Sequence, residues 1–184
     1  MRKKVLLVGA STGGPAQIKD MLSSIETLSC TVVIAQHMRE EVLPFFIKDL
    51  QDSLSLNILS SPLTTNFSEP SVIICSHTSI LKKESFLYEI INNTQGQYYT
   101  PDINILFNSF ANFAHEFELE VLIMTGIGSD GVEGAKVLKS KGAKIFAQDE
   151  GSSPVYGMPR VALESGIVDE VKSLDVIKEY FRVL

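Results

Sequence analysis

The sequence has few cysteines, no excess of basic residues and no long apolar run. Its two cysteines, Cys30 and Cys75, do not form the paired spacing of a metal site, and free thiols are typical of a cytoplasmic protein. Sixteen Lys and Arg against 22 Asp and Glu give a formal net charge of −6, which disfavours a nucleic-acid partner. Because no apolar run reaches membrane-spanning length, we expect no membrane insertion.

The composition is that of one globular domain. A chain of 184 residues with 45% hydrophobic content is long enough to bury one core, so we treat residues 1–184 as a single domain. Apolar runs of strand length alternate with helical periodicity. The predicted strands of this pattern are Val5–Val8, Thr31–Ala35, Leu56–Leu59, Val121–Thr125, Lys144–Ala147 and Ile167–Val171. The alternation predicts an α/β fold with a doubly wound, mostly parallel sheet covered on both faces.

The intervening segments have helical spacing, except in the middle of the chain. The predicted helices are Pro15–Ile25, Glu41–Gln51, Asp102–Glu116, Gly131–Ser140, a segment within residues 154–165 that starts after Pro159, and Leu174–Leu184 with Ser173 as its cap. Three short β-rich runs, Ser71–Cys75, Ser79–Lys82 and Phe86–Ile91, leave little room for helices between them. We predict that these runs form a small antiparallel β annex and that the polar stretch Asn92–Tyr99 is a loop.

A serine follows the first predicted strand within the motif Gly9-Ala10-Ser11-Thr12-Gly13. A G-x-S-x-G motif between a strand and a helix is the context of a nucleophile elbow. The glycines leave room for a substrate, and the amides that open the helix favour a developing oxyanion. The alternative is an N-cap serine in an ordinary glycine-rich turn.

Two further reactive residues follow strands at the same predicted edge of the sheet. His37 follows the second strand, and Asp130 follows the strand that ends near residue 125. Since ligands of open α/β sheets bind at the carboxyl ends of the strands, we expect Ser11 as nucleophile, His37 as base and Asp130 as the group that orients the imidazole. The alternatives are a turn histidine and an aspartate that caps the following helix. His77 and His115 are weaker candidates for the base.

The glycine-rich segment Gly126-Ile127-Gly128-Ser129-Asp130-Gly131 also matches the G-x-G-x-x-G pattern of dinucleotide-binding folds. Asp149 and Glu150 lie at about the spacing of a ribose-binding acid. However, the motif comes late in the chain, and the negative charge of Asp130 would repel a pyrophosphate. Dinucleotide binding therefore remains the alternative to hydrolysis.

Four motifs in one order resemble those of a known enzyme family. They are Gly9-Ala10-Ser11-Thr12-Gly13-Gly14, Gln36-His37-Met38, Thr125-Gly126-Ile127-Gly128-Ser129-Asp130-Gly131, and Ala147-Gln148-Asp149-Glu150 with Tyr156-Gly157-Met158-Pro159-Arg160. Together they resemble the catalytic domain of the chemotaxis receptor methylesterases (CheB), and the resemblance covers nearly the whole chain.

The resemblance implies a serine hydrolase with a Ser-His-Asp triad at Ser11, His37 and Asp130, and no cofactor or metal. It implies γ-methyl esters of glutamyl residues as substrates, carried on the cytoplasmic helices of methyl-accepting chemotaxis receptors, with deamidation of receptor glutamines as a second activity. A non-catalytic receptor-binding module and an esterase for another ester are the remaining alternatives.

The resemblance also assigns residues around the triad. It implies that the backbone amides of Thr12 and Ile127 form the oxyanion hole, and it places Met38, Met158 and Pro159 near the substrate. Isoleucine at 127 replaces the methionine usual in the family. A backbone donor survives this change, whereas substrate packing at the turn is expected to differ.

Two further departures concern substrate contact and regulation. Arg39-Glu40-Glu41 stands where the family usually has a Pro-Pro-Gly type of turn, which is expected to alter contact near the base. The familiar enzyme carries a receiver domain that blocks its active site, whereas this sequence starts with Met1 close to the first catalytic-domain strand. Two interpretations follow, an excised domain or an enzyme without a receiver and with an open site.

Overall fold

A computed structural model describes residues 2–93 and 100–184, and a seven-stranded sheet forms its centre. The strands of this sheet are β1 (Lys3–Ala10), β2 (Thr31–Gln36), β3 (Ile58–Ser60), β5 (Val72–Ile74), β8 (Phe117–Ile123), β9 (Lys144–Gln148) and β10 (Glu170–Lys172). Their order is β10-β9-β8-β1-β2-β5-β3, and each neighbouring pair is parallel. The prediction of a doubly wound, mostly parallel α/β fold is confirmed.

A second, three-stranded antiparallel sheet forms the annex. It consists of β4 (Leu63–Thr65), β6 (Ser79–Glu84) and β7 (Leu87–Asn92) in the order β4-β7-β6. The predicted annex is therefore confirmed, with β4 as a strand that was not predicted. The assignment of Ser71–Cys75 to the annex is wrong, because β5 lies in the main sheet, parallel to β2 and β3. All three residues of β5 are buried, as expected of a strand covered on both faces.

Within residues 2–93 and 100–184, six helices cover the two faces of the main sheet. They are α1 (Gly14–Ser23), α2 (Leu43–Ser53), α3 (Ile103–Ala111), α4 (Val132–Ser140), α5 (Met158–Glu164) and α6 (Leu174–Arg182). Helices α1, α2 and α6 pack on one face, whereas α3, α4, α5 and the annex pack on the other. Because side chains alternate along a strand, Leu6 and Val8 of β1 join the first layer, and Val5 and Leu7 join the second.

The observed helices are shifted or shortened relative to their predicted bounds, and the differences at α3 and α5 have clear reasons. Helix α3 ends at Ala111 rather than Glu116, because residues 112–116 form the turns that lead the chain into β8. Helix α5 begins at Met158 rather than after Pro159. A proline fits the first helical turn because its missing N–H would have no partner within the helix there.

Other predictions near the ends of elements have clear outcomes. The Oγ of Ser173 accepts a hydrogen bond from the amide of Val176 and caps α6, as predicted. Asn92, expected in a loop, is the last residue of β7, and residues 94–99 of that stretch lie outside the described residues. In the described part of the chain, no helix combines the length and apolarity needed to cross a bilayer.

The sheet topology determines where a site can form. Strand β1 lies between β2 and β8. The chain adds β2, β5 and β3 on one side of β1 and β8, β9 and β10 on the other, so the strand order reverses at β1. Doubly wound sheets bind ligands at such a point, outside the carboxyl ends of the strands. The segments that follow β1, β2 and β8 therefore meet at the expected position of a site.

Candidate active site

Ser11 leaves the end of β1 on a tight turn. Its amide donates to the carbonyl of Thr125 (2.9 Å), and its own carbonyl accepts a hydrogen bond from the amide of Gly14 (2.8 Å). Gly13 has φ 83°, a left-handed conformation that glycine adopts without steric cost. The N-cap of α1 is Gly13, and no side chain caps this helix. The alternative of an N-cap serine is therefore wrong.

His37 begins the segment after β2 and is paired with Asp130. Its amide donates to the carbonyl of Ala10 (2.9 Å), which places His37 beside the strand that ends at Ser11. The ring atom Nε2 lies 2.7 Å from Oδ2 of Asp130. The side chains are 12% and 1% exposed, so this imidazole–carboxylate pair is shielded from most of the solvent.

The carboxylate of Asp130 sits at the start of α3. Its Oδ2 accepts a second hydrogen bond from the amide of Ile103 (2.8 Å), and its Oδ1 accepts from the amides of Asn104 (3.0 Å) and Gly131 (2.8 Å). Asp130 therefore satisfies two first-turn amides of α3, which have no acceptor within their own helix. The N-cap of α4 is Gly131, so the alternative in which Asp130 only caps the helix that follows it is wrong.

The electrostatic environment keeps Asp130 ionised. Burial raises the pKa of the carboxyl group, but the hydrogen bonds from His37 and from the amides of Ile103 and Asn104 outweigh this effect and hold the pKa below its ordinary value. Burial and the negative charge of Asp130 raise the pKa of neighbouring Asp102. An ionised Asp130 can fix the tautomer of an imidazole and stabilise its protonated form.

Two backbone amides at the rim of this edge are available to a ligand. Over residues 2–93 and 100–184, the amides of Thr12 and Ile127 donate to no protein acceptor. Thr12 is exposed, and Ile127 is 64% exposed. These amides belong to the turns that follow β1 and β8, so they flank the position of Ser11.

A buried threonine connects these two turns. The hydroxyl of Thr125 donates to the carbonyl of Thr12 (2.8 Å) and accepts from the amide of Val155 (3.0 Å). The amide of Thr125 donates to Oε1 of the buried Gln148 (3.0 Å). Sequence analysis assigned no role to these residues, although Thr125 and Gln148 both lie within the motifs of the family.

Gly126 allows the turn after β8 to pack directly on Ser11. A Cβ atom at position 126 would lie 2.6 Å from Cβ of Ser11 and would also overlap Sδ of Met158. The carbonyl of Gly126 accepts hydrogen bonds from the amides of Gly157 (3.1 Å) and Met158 (2.8 Å). Met158 and Pro159 are buried and lie in the first turn of α5 behind this contact, whereas Met38 is half-buried beside His37.

We expect Gly126→Ala to lower catalytic turnover by about 100-fold, because a misplacement of roughly 1 Å has an effect of that size. The added methyl group forces either Ser11 or the turn to move. Gly151→Ala is the matched control, since a Cβ there meets only Oδ2 of Asp149 at 3.9 Å. Ester hydrolysis should fall in the first variant and stay unchanged in the second. Equal activities would show that the packing of Gly126 on Ser11 is unimportant.

The other two histidines have different surroundings. Nδ1 of His77 contacts Oγ of Ser76 (3.1 Å) and Nδ2 of Asn92 (3.2 Å). His115 is exposed, with Nε2 at 3.7 Å from Glu116. In the part of the chain that the structure describes, no cluster of His, Cys, Asp and Glu is arranged to hold a metal ion. His37 is thus the histidine that faces a deeply buried carboxylate.

Comparisons with known proteins agree with this fold. The chain superimposes on the crystal structure of the Thermotoga maritima CheB methylesterase catalytic domain with a TM-score of 0.84, 21% identity, and coverage of 100% of this chain and 99% of that one. At this identity the likeness shows the fold.

Sequence similarity shows the family. The chain is similar to the protein-glutamate methylesterase/protein-glutamine glutaminase of Lawsonia intracellularis (34% identity over 97% of this chain and 51% of the relative) and of Photorhabdus laumondii (34% over 99% and 52%). It thus spans about half the length of the curated relatives it matches. A family model described as CheB methylesterase matches residues 6–181, and the chain therefore belongs to the CheB methylesterase family.

Proposed function

We propose that residues 1–184 act as a methylesterase catalytic domain that hydrolyses γ-methyl esters of glutamyl residues on the cytoplasmic helices of chemotaxis receptors. The observation that carries this proposal is the contact between His37 and the buried Asp130 at the sheet edge that also holds Ser11. The names of the relatives support both the esterase reaction and, as a second activity, deamidation of receptor glutamines. The setting of this activity is the cytoplasm.

In the proposed reaction, Oγ of Ser11 attacks the ester carbonyl while its proton passes to the imidazole of His37. Because Nε2 faces Asp130, the proton goes to Nδ1. The tetrahedral oxyanion is stabilised by the amides of Thr12 and Ile127, which flank Ser11. Its collapse breaks the bond to the methoxy oxygen, which takes the proton from His37 and departs as methanol, and an acyl-enzyme remains at Ser11.

The second half of the reaction uses the same groups. His37 takes a proton from water while the water oxygen attacks the acyl carbonyl. The bond between that carbonyl carbon and Oγ of Ser11 then breaks, His37 returns the proton to Oγ, and the glutamate side chain is released. Asp130 remains ionised and stabilises the imidazolium formed in each half. The resemblance places Met38, Met158 and Pro159 near the substrate, and we keep this role for Met38. Because Met158 and Pro159 are buried in the first turn of α5, we assign them instead to support of the turn that carries Ile127.

The contacts of the glycine-rich turn disfavour dinucleotide binding. The amide of Gly131, which such a motif would direct at a pyrophosphate, donates instead to the carboxylate of Asp130. That carboxylate is buried inside the glycine-rich turn, where its charge opposes a phosphate. The ester-hydrolase assignment makes use of the same carboxylate.

Release of methanol from receptor-containing membranes tests the function. We expect the wild-type chain to release methanol from receptors carrying isotopically labelled methyl esters, and Ser11→Ala to release none above background. Small methyl esters and glutamine-containing receptors, assayed in parallel, distinguish the substrates. Hydrolysis of small esters without receptor hydrolysis would indicate another ester as substrate, and inactivity on both would contradict the enzyme assignment.

A further inference from the structure

A buried glutamine links the segments that carry the nucleophile and the base. Gln36 is the last residue of β2 and is 1% exposed. Its Nε2 atom donates to the carbonyl of Ser11 (2.9 Å) and to the carbonyl of His37 (2.8 Å). One side-chain amide therefore bridges the two turns directly beneath the proposed reacting groups.

The register of the sheet explains how Gln36 reaches both turns. Gln36 pairs with Ala10 across β1 and β2, and paired residues of parallel strands point to the same face. The side chain therefore lies beside Ala10 and extends along the start of α1. A Cβ on Gly14 would overlap Oε1 of Gln36, so the glycine at the first position of α1 makes room for this amide.

The chemistry of the contacts fixes the orientation of the amide. Both partners of Nε2 are carbonyl oxygens, which can only accept hydrogen bonds. A flipped amide would direct its oxygen at two other oxygens. In the observed orientation Oε1 is buried and has no hydrogen-bond partner among the described residues. A buried acceptor without a partner is unfavourable, so the two hydrogen bonds from Nε2 to the carbonyls of Ser11 and His37 have to offset this cost.

We propose that Gln36 is a positioning residue, which sets the separation between Ser11 and His37 by holding the carbonyls of both. This proposal rests on the proposed function, because it concerns the geometry of that reaction. The carbonyl of Ser11 also accepts from the amide of Gly14, so Gln36 and the first turn of α1 fix this peptide from two directions. Gln36 itself touches no reacting atom, and its effect passes through the backbone.

The test removes both donors while preserving the length of the side chain. In Gln36→Met, we expect kcat for a small methyl ester to fall about 10- to 100-fold, the range expected when reacting groups lose alignment, while KM changes less than about twofold. The rate of Ser11 labelling by a fluorophosphonate should fall by a similar factor. The shape of the pH–rate profile should not change, because the pair of His37 and Asp130 is intact.

Gln51→Met is the matched control. Nε2 of Gln51 also donates to a backbone carbonyl, that of Ile58 (3.0 Å), away from the site. Thermal unfolding of each variant separates loss of fold from loss of alignment. If Gln36→Met does not fold, Gln36→Asn replaces it, since the shorter amide cannot span both carbonyls. A folded Gln36 variant with the kcat and labelling rate of the wild type would overturn the proposal.

The labelling experiment also separates the two proposals. If Ser11 labels rapidly but methylated receptors are not hydrolysed, the proposed substrate is wrong. The role of Gln36 is then still tested by comparing the rate of Ser11 labelling between the wild type and the Gln36 variant. If Ser11 of the wild type does not label, no activated serine exists, and both proposals fail.

Discussion

Substitution of Ser11 by alanine is expected to lower turnover by up to ~10⁶-fold, the scale observed when a triad nucleophile is removed. In the proposed reaction this hydroxyl forms the covalent bond to the substrate, and the methyl group of alanine cannot do so. The hydrogen bonds that hold Ser11 in place use its amide and carbonyl, so alanine preserves the turn. We therefore expect Ser11→Ala to keep the fold of the wild type, which thermal unfolding checks.

Methanol release and fluorophosphonate labelling measure this effect independently. Ser129→Ala is a suitable control, because Ser129 is an exposed serine near the same rim and has no proposed role. The Ser11 variant should lose both signals, and the Ser129 variant should keep both. Full activity in Ser11→Ala would exclude covalent catalysis at this residue.

The Asp130→Asn variant is expected to lose about 10⁴-fold in turnover, because asparagine favours the wrong imidazole tautomer. The structure predicts an additional loss of stability. Each carboxylate oxygen accepts two N–H hydrogen bonds, so the NH₂ group of asparagine must face two donors in either orientation. Leaving buried amides without an acceptor costs about 1–3 kcal/mol each. Urea unfolding at neutral pH measures this loss, and unchanged stability together with unchanged turnover would contradict the proposed role.

The same variant gives a pH-dependent prediction. The pKa of Asp130 is lower in the folded state than its unfolded value of about 3.9. Its ionisation therefore contributes stability above the unfolded pKa, and this contribution is lost as the pH falls through the folded pKa. The stability difference between wild type and Asp130→Asn should shrink from neutral pH toward acid. A difference independent of pH would show that the charge of Asp130 does not stabilise the fold.

The sequence alone was sufficient to predict most strands of the main sheet and the edge at which the candidate site lies. Strands β1, β2 and β8 are recognisable as buried apolar runs, and parallel strands bring their carboxyl ends to one edge. The run Ser71–Cys75 has the same character as Thr31–Ala35, yet the lack of a helix before it favoured the annex. The structure shows that the connection between the parallel strands β3 and β5 passes through β4 of the annex and contains no helix.

The contacts around the site depend on tertiary structure that local patterns do not encode. Helix α3 reaches Asp130 from a position 27 residues earlier in the chain, and no spacing rule connects Ile103 to that carboxylate. Gln36 stood within a recognised motif, but its two acceptors are backbone carbonyls, which every residue possesses. Sequence patterns identify the reactive side chains more readily than the groups that hold them.

The position of Asp130 at the start of α3 affects how inactive relatives should be recognised. Selection for a stable protein alone retains this aspartate, since the first helical turn depends on it, even in a lineage that has lost hydrolysis. The hydrogen bonds that fix the turn at Ser11 use its amide and carbonyl, not its hydroxyl. Under the proposed function, a lineage that lost hydrolysis would therefore have no reason to keep serine at position 11. Among descendants of this fold, the presence of serine at that turn is therefore a better marker of surviving activity than the presence of the aspartate.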